Sequence, residues 1–201
     1  MKAMSSSVPR NLYKLPKWDL SLVLDSLLKA PYEPIAKASL RDLTLKTVFL
    51  LALASAKRVS ELQGLSPMVS HTEDWTKMSF SFGVDFVALS SYTGEEDDLL
   101  LCPVRATRRY LALTRPTRPE RSRLFLPLTG DSPSVSKNTI SRWITLVIRL
   151  AYQHQSSASL TLHKVSAHEV RALSTSWAFH HNASLDDVMA AASWKSHGTF
   201  S

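Results

Sequence analysis

A helix opening at Ser39 constrains this chain more than any other feature. Asp42, three residues on, makes Ser39 a variant of the capping box, and the helix runs through Leu43, Leu45, Val48, Leu51 and Leu53 with apolar side chains on most of its sides. Such a helix needs neighbours all round it, so it reads as the central helix of a core. With 201 residues, 44% of them hydrophobic, the chain is long enough to bury one substantial core in one domain.

The rest of the chain supplies the neighbours. Met1 to Lys17 is polar, holds Pro9 and Pro16, and reads as a tail or linker; residues 18–201 read as the domain. Asp19 caps a short helix carrying Leu20, Val23, Leu24, Leu27 and Leu28, which Pro31 and Pro34 end. Alternation from Trp75 to Phe82 predicts a half-buried strand, with a second over Asp85 to Leu89 and a third over Leu99 to Cys102. Pro103 suits the first turn of a helix running to about Leu113. Ser136 caps an amphipathic helix with Ile140, Trp143, Ile144, Val147, Ile148 and Ala151 on one face. Ser166 and Glu169 form a capping box for a helix to about Phe179, and Ser184 with Asp187 opens a last one to Ala192. The predicted fold class is mainly α with a small antiparallel β-sheet.

Composition narrows the partner. Lys and Arg number 24 against 17 Asp and Glu, a formal charge of +7, which favours a polyanion. Seven arginines fall between Arg105 and Arg123, opposed only by Glu120. Beside DNA or RNA they would neutralise phosphates, and otherwise they would form a solvated surface. No apolar run approaches the roughly 20 residues that span a bilayer, and Met1 to Arg10 holds no secretory core, so an intracellular protein without a membrane partner is expected. Cys102 is the single cysteine. It can form no internal disulfide, and it reads as a buried thiol.

Two local patterns could carry chemistry. His168 and Arg171, three apart near a helix start, share a face where unpaired amides and the positive dipole end already favour an anion. Arg58 follows the apolar helix in Lys57-Arg58-Val59-Ser60-Glu61-Leu62, with Glu61 spaced to hold its guanidinium. Each pattern alone fits an ordinary surface pair or helix end.

Taken in order, these features resemble the tyrosine recombinases and phage integrases. The chain is most similar to the recombinases of DIRS-type eukaryotic retrotransposons, through "LALASAKRVSELQGLS", "AHEVRALSTSWA" and "AASWKSHGTFS". The resemblance covers nearly everything from Trp18 to Ser201. It implies that Arg58 is the first catalytic arginine, that His168 and Arg171 form the His-x-x-Arg motif, and that Trp194 stands where the family has a second His or a Trp. Two guanidiniums can grip the nonbridging oxygens of one scissile phosphate. His168 would serve acid–base transfer, and the Trp194 indole would donate one hydrogen bond.

The implied function is binding of double-stranded DNA for recombination and integration, with self-association on DNA, a nuclear location, and no cofactor, metal or small-molecule substrate. Complete family members cleave and rejoin strands through a phosphotyrosyl bond. Their tyrosine would lie past Ser201, and Tyr13, Tyr32, Tyr92, Tyr110 and Tyr152 do not occupy its place. The domain is therefore expected to be incomplete at its carboxyl end and unable to form the covalent intermediate. The family's sheet lysine would follow "DFVA", where this chain has Leu89; Lys77 on the preceding strand is the candidate substitute. The amphipathic helix would enter the major groove, with Lys137, Asn138 and Arg142 as DNA contacts. The alternative is a non-catalytic DNA- or partner-binding remnant of a mobile-element recombinase.

Overall fold

The computed structural model describes residues 16, 18–72, 75–80, 86–90, 96–153, 165–180 and 184–191. In chain order these form α1 (Leu20–Leu27), α2 (Leu40–Ser55), α3 (Val59–Gln63), β1 (Leu65–His71), β2 (Trp75–Phe80), β3 (Phe86–Ser90), α4 (Glu96–Leu100), α5 (Pro103–Thr114), α6 (Lys137–Gln153), α7 (Ala167–His180) and α8 (Leu185–Ala191). Among the described residues no helix is long and apolar enough to cross a membrane.

α2 is the central helix. Every residue from Leu43 to Ala52 is buried, because α5, α6 and α7 pack around it. Its polar side chains are satisfied within the core, as burial requires. Thr44 and Thr47 donate to the carbonyls of Leu40 and Leu43 at 2.6 and 2.7 Å. Lys46, fully buried, pairs with Glu33 at 2.5 Å and donates to the Leu27 carbonyl at 2.8 Å. Arg105 on α5 reaches the same Glu33 carboxylate at 2.7 Å, so one anion fastens the loop before α2 to two helices.

The sheet has the order β1-β2-β3 with both pairings antiparallel. Thr76 faces Leu89 and Met78 faces Val87 across β2 and β3, and all four are buried. Lys77 and Ser79 point to the opposite side, as the alternation of a half-buried strand demands. The third strand is not where the sequence places it. Leu99 and Leu100 end α4, and Cys102 is the N-cap of α5; four apolar residues in a row do not separate helix from strand, and the acidic Glu96, Asp97 and Asp98 favour a helix start. The missing strand is β1, disguised by Pro67. A proline cannot donate to a ladder, but β1 is an edge strand whose register shifts between Leu65 and Val69, and such a bulge accommodates it.

The helices that carry candidate residues begin at the caps that the sequence announces. Ser136 Oγ accepts the Thr139 amide at 3.1 Å, and Ile140, Trp143, Ile144, Val147, Ile148 and Ala151 of α6 are all buried. Glu169 accepts the Ser166 amide at 3.0 Å at the start of α7, and Ser184 Oγ accepts the Asp187 amide at 3.1 Å before α8. Cys102 is a buried free thiol.

The arginine-rich stretch is neither a solvated face nor an open phosphate track over much of its length. Arg118 donates to the Arg123 and Leu124 carbonyls at 2.7 and 3.1 Å and to Thr114 Oγ1 at 2.7 Å. Arg109 donates to the Ala36 carbonyl at 3.0 Å, and Arg108 to the Thr72 carbonyl at 3.1 Å. With Arg105 on Glu33, four of these guanidiniums are ties between segments, a use that a planar set of five donors suits.

Candidate functional site

The end of α2 builds one half of the site. Ala56 adopts φ 51 and ψ 19, a left-handed conformation that costs a residue with a side chain roughly 1–2 kcal/mol. It stops α2 and turns the chain so that Arg58 becomes the N-cap of α3. Arg58 is exposed. Its backbone amide is held by Glu61 Oε2 at 2.5 Å, the reciprocal half of a capping box.

α7 builds the other half. Ser174 donates a short hydrogen bond to the Leu53 carbonyl, which fixes α7 against the last turn of α2. Arg171, one turn earlier, is therefore only 6% exposed, and its Nη1 lies 3.5 Å from Glu61 Oε2. Burial lowers the Arg171 guanidinium below the usual arginine range, the nearby Arg58 charge adds to the lowering, and Glu61 opposes it. His168 is exposed in the first turn of α7, three residues before Arg171.

Arg58 and Arg171, distant in sequence, thus come within each other's field, and the Glu61 carboxylate that holds the Arg58 amide faces the Arg171 guanidinium. The Arg58 charge disfavours that of Arg171, a repulsion that an anionic oxygen at the exposed Arg58 would relieve. Glu61 differs from its sequence reading. Its spacing suits the Arg58 guanidinium, but it takes the Arg58 backbone amide and faces the guanidinium of Arg171. Spacing within one helix cannot reveal a partner that arrives from α7.

Lys137, Asn138 and Arg142 are all exposed on α6, and α6 packs against both α3 and α7. Trp194 lies outside the described residues. Leu89 is buried, facing the core, whereas Lys77 stands on the other side of the sheet with an intermediate exposure. Among the tyrosines, Tyr32, Tyr110 and Tyr152 are buried; the Tyr110 and Tyr152 hydroxyls accept the amides of Leu126 and Asp19 at 2.9 and 2.7 Å. Tyr13 and Tyr92 lie outside the described residues. No group of three or more His, Cys, Asp and Glu among the described residues could hold a metal ion.

No protein-family model and no curated protein matches this chain. Solved structures do. The chain is similar to the XerH site-specific recombinase bound to its difH substrate in a pre-cleavage complex, with a TM-score of 0.63 and 14% identity over 92% of this chain and 49% of that one. The post-cleavage complex of XerH with palindromic difH gives 0.61 and 16%, covering 92% and 48%. A lambda integrase dimer bound to a COC′ core site gives 0.50 and 15%, covering 88% and 55%. This chain spans about half the length of those proteins. Its mainly helical architecture with a small antiparallel sheet matches the fold of a tyrosine-recombinase catalytic domain.

Proposed function

We propose that this chain is a duplex-DNA-binding domain of tyrosine-recombinase type, in which Arg58 and Arg171 grip one backbone phosphate and α6 lies against the groove. The observation that carries the reading is that Arg171, buried and 3.5 Å from Glu61, lies near enough to Arg58 for that charge to disfavour its own. Two planar donor forks can each take two phosphate oxygens, which a pair of lysines cannot do. His168, exposed three residues before Arg171, would add a donor to the same phosphate. On α6, Lys137 and Arg142 would serve phosphates or guanine, and Asn138 could read adenine. A role in recombination or integration of a mobile element, with a nuclear location and self-association on DNA, belongs to the same proposal.

The reading favoured for the described residues is DNA binding, since Tyr32, Tyr110 and Tyr152 are all buried. A phosphotyrosyl intermediate needs a phenol at the phosphate, and Tyr110 and Tyr152 spend their hydroxyls on backbone amides within the core. At the Leu89 position an apolar side chain packs inward and offers no proton to a leaving group, which leaves Lys77 on β2 as the candidate donor. Fluorescence anisotropy with a labelled duplex, titrated with salt, tests the binding. A steep fall in affinity with salt is expected, with each neutralised phosphate adding about 0.9 to the slope of log K against log salt. A flat or undetectable response contradicts the reading. A nicked suicide duplex incubated with the chain should yield no covalent adduct, and an adduct would restore the strand-cleaving reading.

A further inference from the structure

The α7 helix that carries His168 and Arg171 is fastened at its first turn by a residue from the far end of the domain. Glu169 is the third residue of α7, and its Oε2 accepts two hydrogen bonds: from the Ser166 amide at 3.0 Å and from the Trp18 indole Nε1 at 3.2 Å. Trp18 is 5% exposed, so its ring is held by packing and its N–H has a fixed direction. The next residue is also tied. The Asp19 amide donates to Tyr152 Oη at 2.7 Å, at the last turn of α6. Two adjacent residues are therefore tied to two different helices: Asp19 to the last turn of α6, at the end away from Lys137, Asn138 and Arg142, and Trp18 to the start of the helix proposed for the phosphate.

We propose that Trp18 is a positioning residue for the phosphate grip, acting through Glu169. This rests on the reading of Arg58 and Arg171 given above. A helix start has unpaired amides, and a capping carboxylate satisfies one of them only while its rotamer is held. Glu169 lies between His168 and Arg171 in sequence. A Glu169 that swings out releases the Ser166 amide and lets the first turn fray, which moves His168 directly and loosens the segment that presents Arg171 to Glu61. The indole N–H holds Glu169 in place by a charge-assisted hydrogen bond from a rigid, buried donor. The geometry of the grip therefore depends on how Trp18 is seated.

Trp18→Phe keeps an aromatic ring in the core and removes only the donor; Glu169→Gln keeps an acceptor oxygen but removes its charge. Tyr152→Phe is the control, because it breaks the neighbouring tie to Asp19 without touching Glu169. Duplex affinity and its salt slope should be measured for all three by anisotropy, alongside amide hydrogen exchange in the first turn of α7. Trp18→Phe is expected to weaken duplex binding about three- to tenfold and to reduce the salt slope by up to about 0.9, the loss of one phosphate contact. Glu169→Gln should show a smaller loss of the same kind, and Tyr152→Phe neither. Exchange at the first-turn amides should quicken in Trp18→Phe and not in Tyr152→Phe. Unchanged affinity, slope and exchange in folded Trp18→Phe would overturn the inference, as would an equal effect of Tyr152→Phe. If the unaltered chain fails to bind duplex DNA, the functional reading fails, while the exchange measurement still decides whether Trp18 holds the start of α7.

Discussion

Glu61 Oε2 stands 3.5 Å from Arg171 Nη1 while holding the backbone amide of Arg58 at 2.5 Å. One carboxylate therefore touches both halves of the site, the turn that presents Arg58 and the guanidinium of Arg171. Replacing it by glutamine keeps an acceptor for the Arg58 amide but removes the negative charge beside the buried Arg171 guanidinium. Glu61→Gln should cost about 2 kcal/mol of stability in urea denaturation. A loss below about 0.5 kcal/mol would mean that solvent already screens the Arg171 charge.

Arg58 has the opposite profile. It is exposed, and its charge disfavours the charged form of Arg171, so its removal relieves repulsion. Arg58→Ala should leave stability within about 0.5 kcal/mol, while duplex affinity at low salt falls by about tenfold, a typical loss for a charge-assisted phosphate contact. Thermal denaturation and anisotropy on the same preparation check both halves.

The two arginine uses in this chain should separate in experiment. Arg118 bonds two carbonyls and a threonine hydroxyl inside the fold. Arg118→Ala should destabilise by about 2 kcal/mol or more, from unsatisfied buried acceptors, yet leave the salt slope of DNA binding unchanged. Lys137→Ala with Arg142→Ala on the exposed side of α6 should do the reverse, lowering the slope by about 1–2 with little effect on the melting temperature.

That division shows what the sequence could and could not reveal. The apolar run of α2 and the caps at Ser39, Ser136, Ser166 and Ser184 are local patterns, and local patterns are legible because hydrogen bonds between residues three apart do not depend on the rest of the fold. The β1 strand was hidden because Pro67 is tolerated only through an edge position and a bulge, both tertiary facts. Leu99 to Cys102 could be placed in a strand or a helix by hydropathy alone. The arginines from Arg105 to Arg118 form one charge cluster in sequence, and only the folded chain shows Arg105 spent on Glu33. For the site, Arg58, His168 and Arg171 stood out as residue types at meaningful spacing, whereas the bridge from Glu61 to Arg171 and the tie from Trp18 to Glu169 join elements far apart in the chain.

Acid should expose the buried ion pair beneath the core. Burial alone would raise the Glu33 carboxyl, but hydrogen bonds from Arg105 and Lys46, the Lys46 charge and the Ile35 amide outweigh it, leaving the group below its ordinary 4.5. A carboxylate lowered on folding contributes stability that is fully present above the unfolded value and is lost as the pH falls through the folded one. Stability should decline as the pH drops below about 4.5, and Glu33→Gln should flatten that part of the profile. Its cost at neutral pH should be about 3–5 kcal/mol, because Lys46 is left buried without its anion. A profile of the same shape in both proteins would assign the acid transition to other carboxylates.

The shared grip of Arg58 and Arg171 on one phosphate is tested most directly by a double-mutant cycle on duplex affinity, using Arg58→Ala, Arg171→Lys and the pair together, with folding of each checked by circular dichroism. Two groups acting on the same phosphate should be coupled by more than about 0.5 kcal/mol, with the double variant losing less than the sum of the single losses. Additive losses, or single variants that bind as the unaltered chain does, would contradict it.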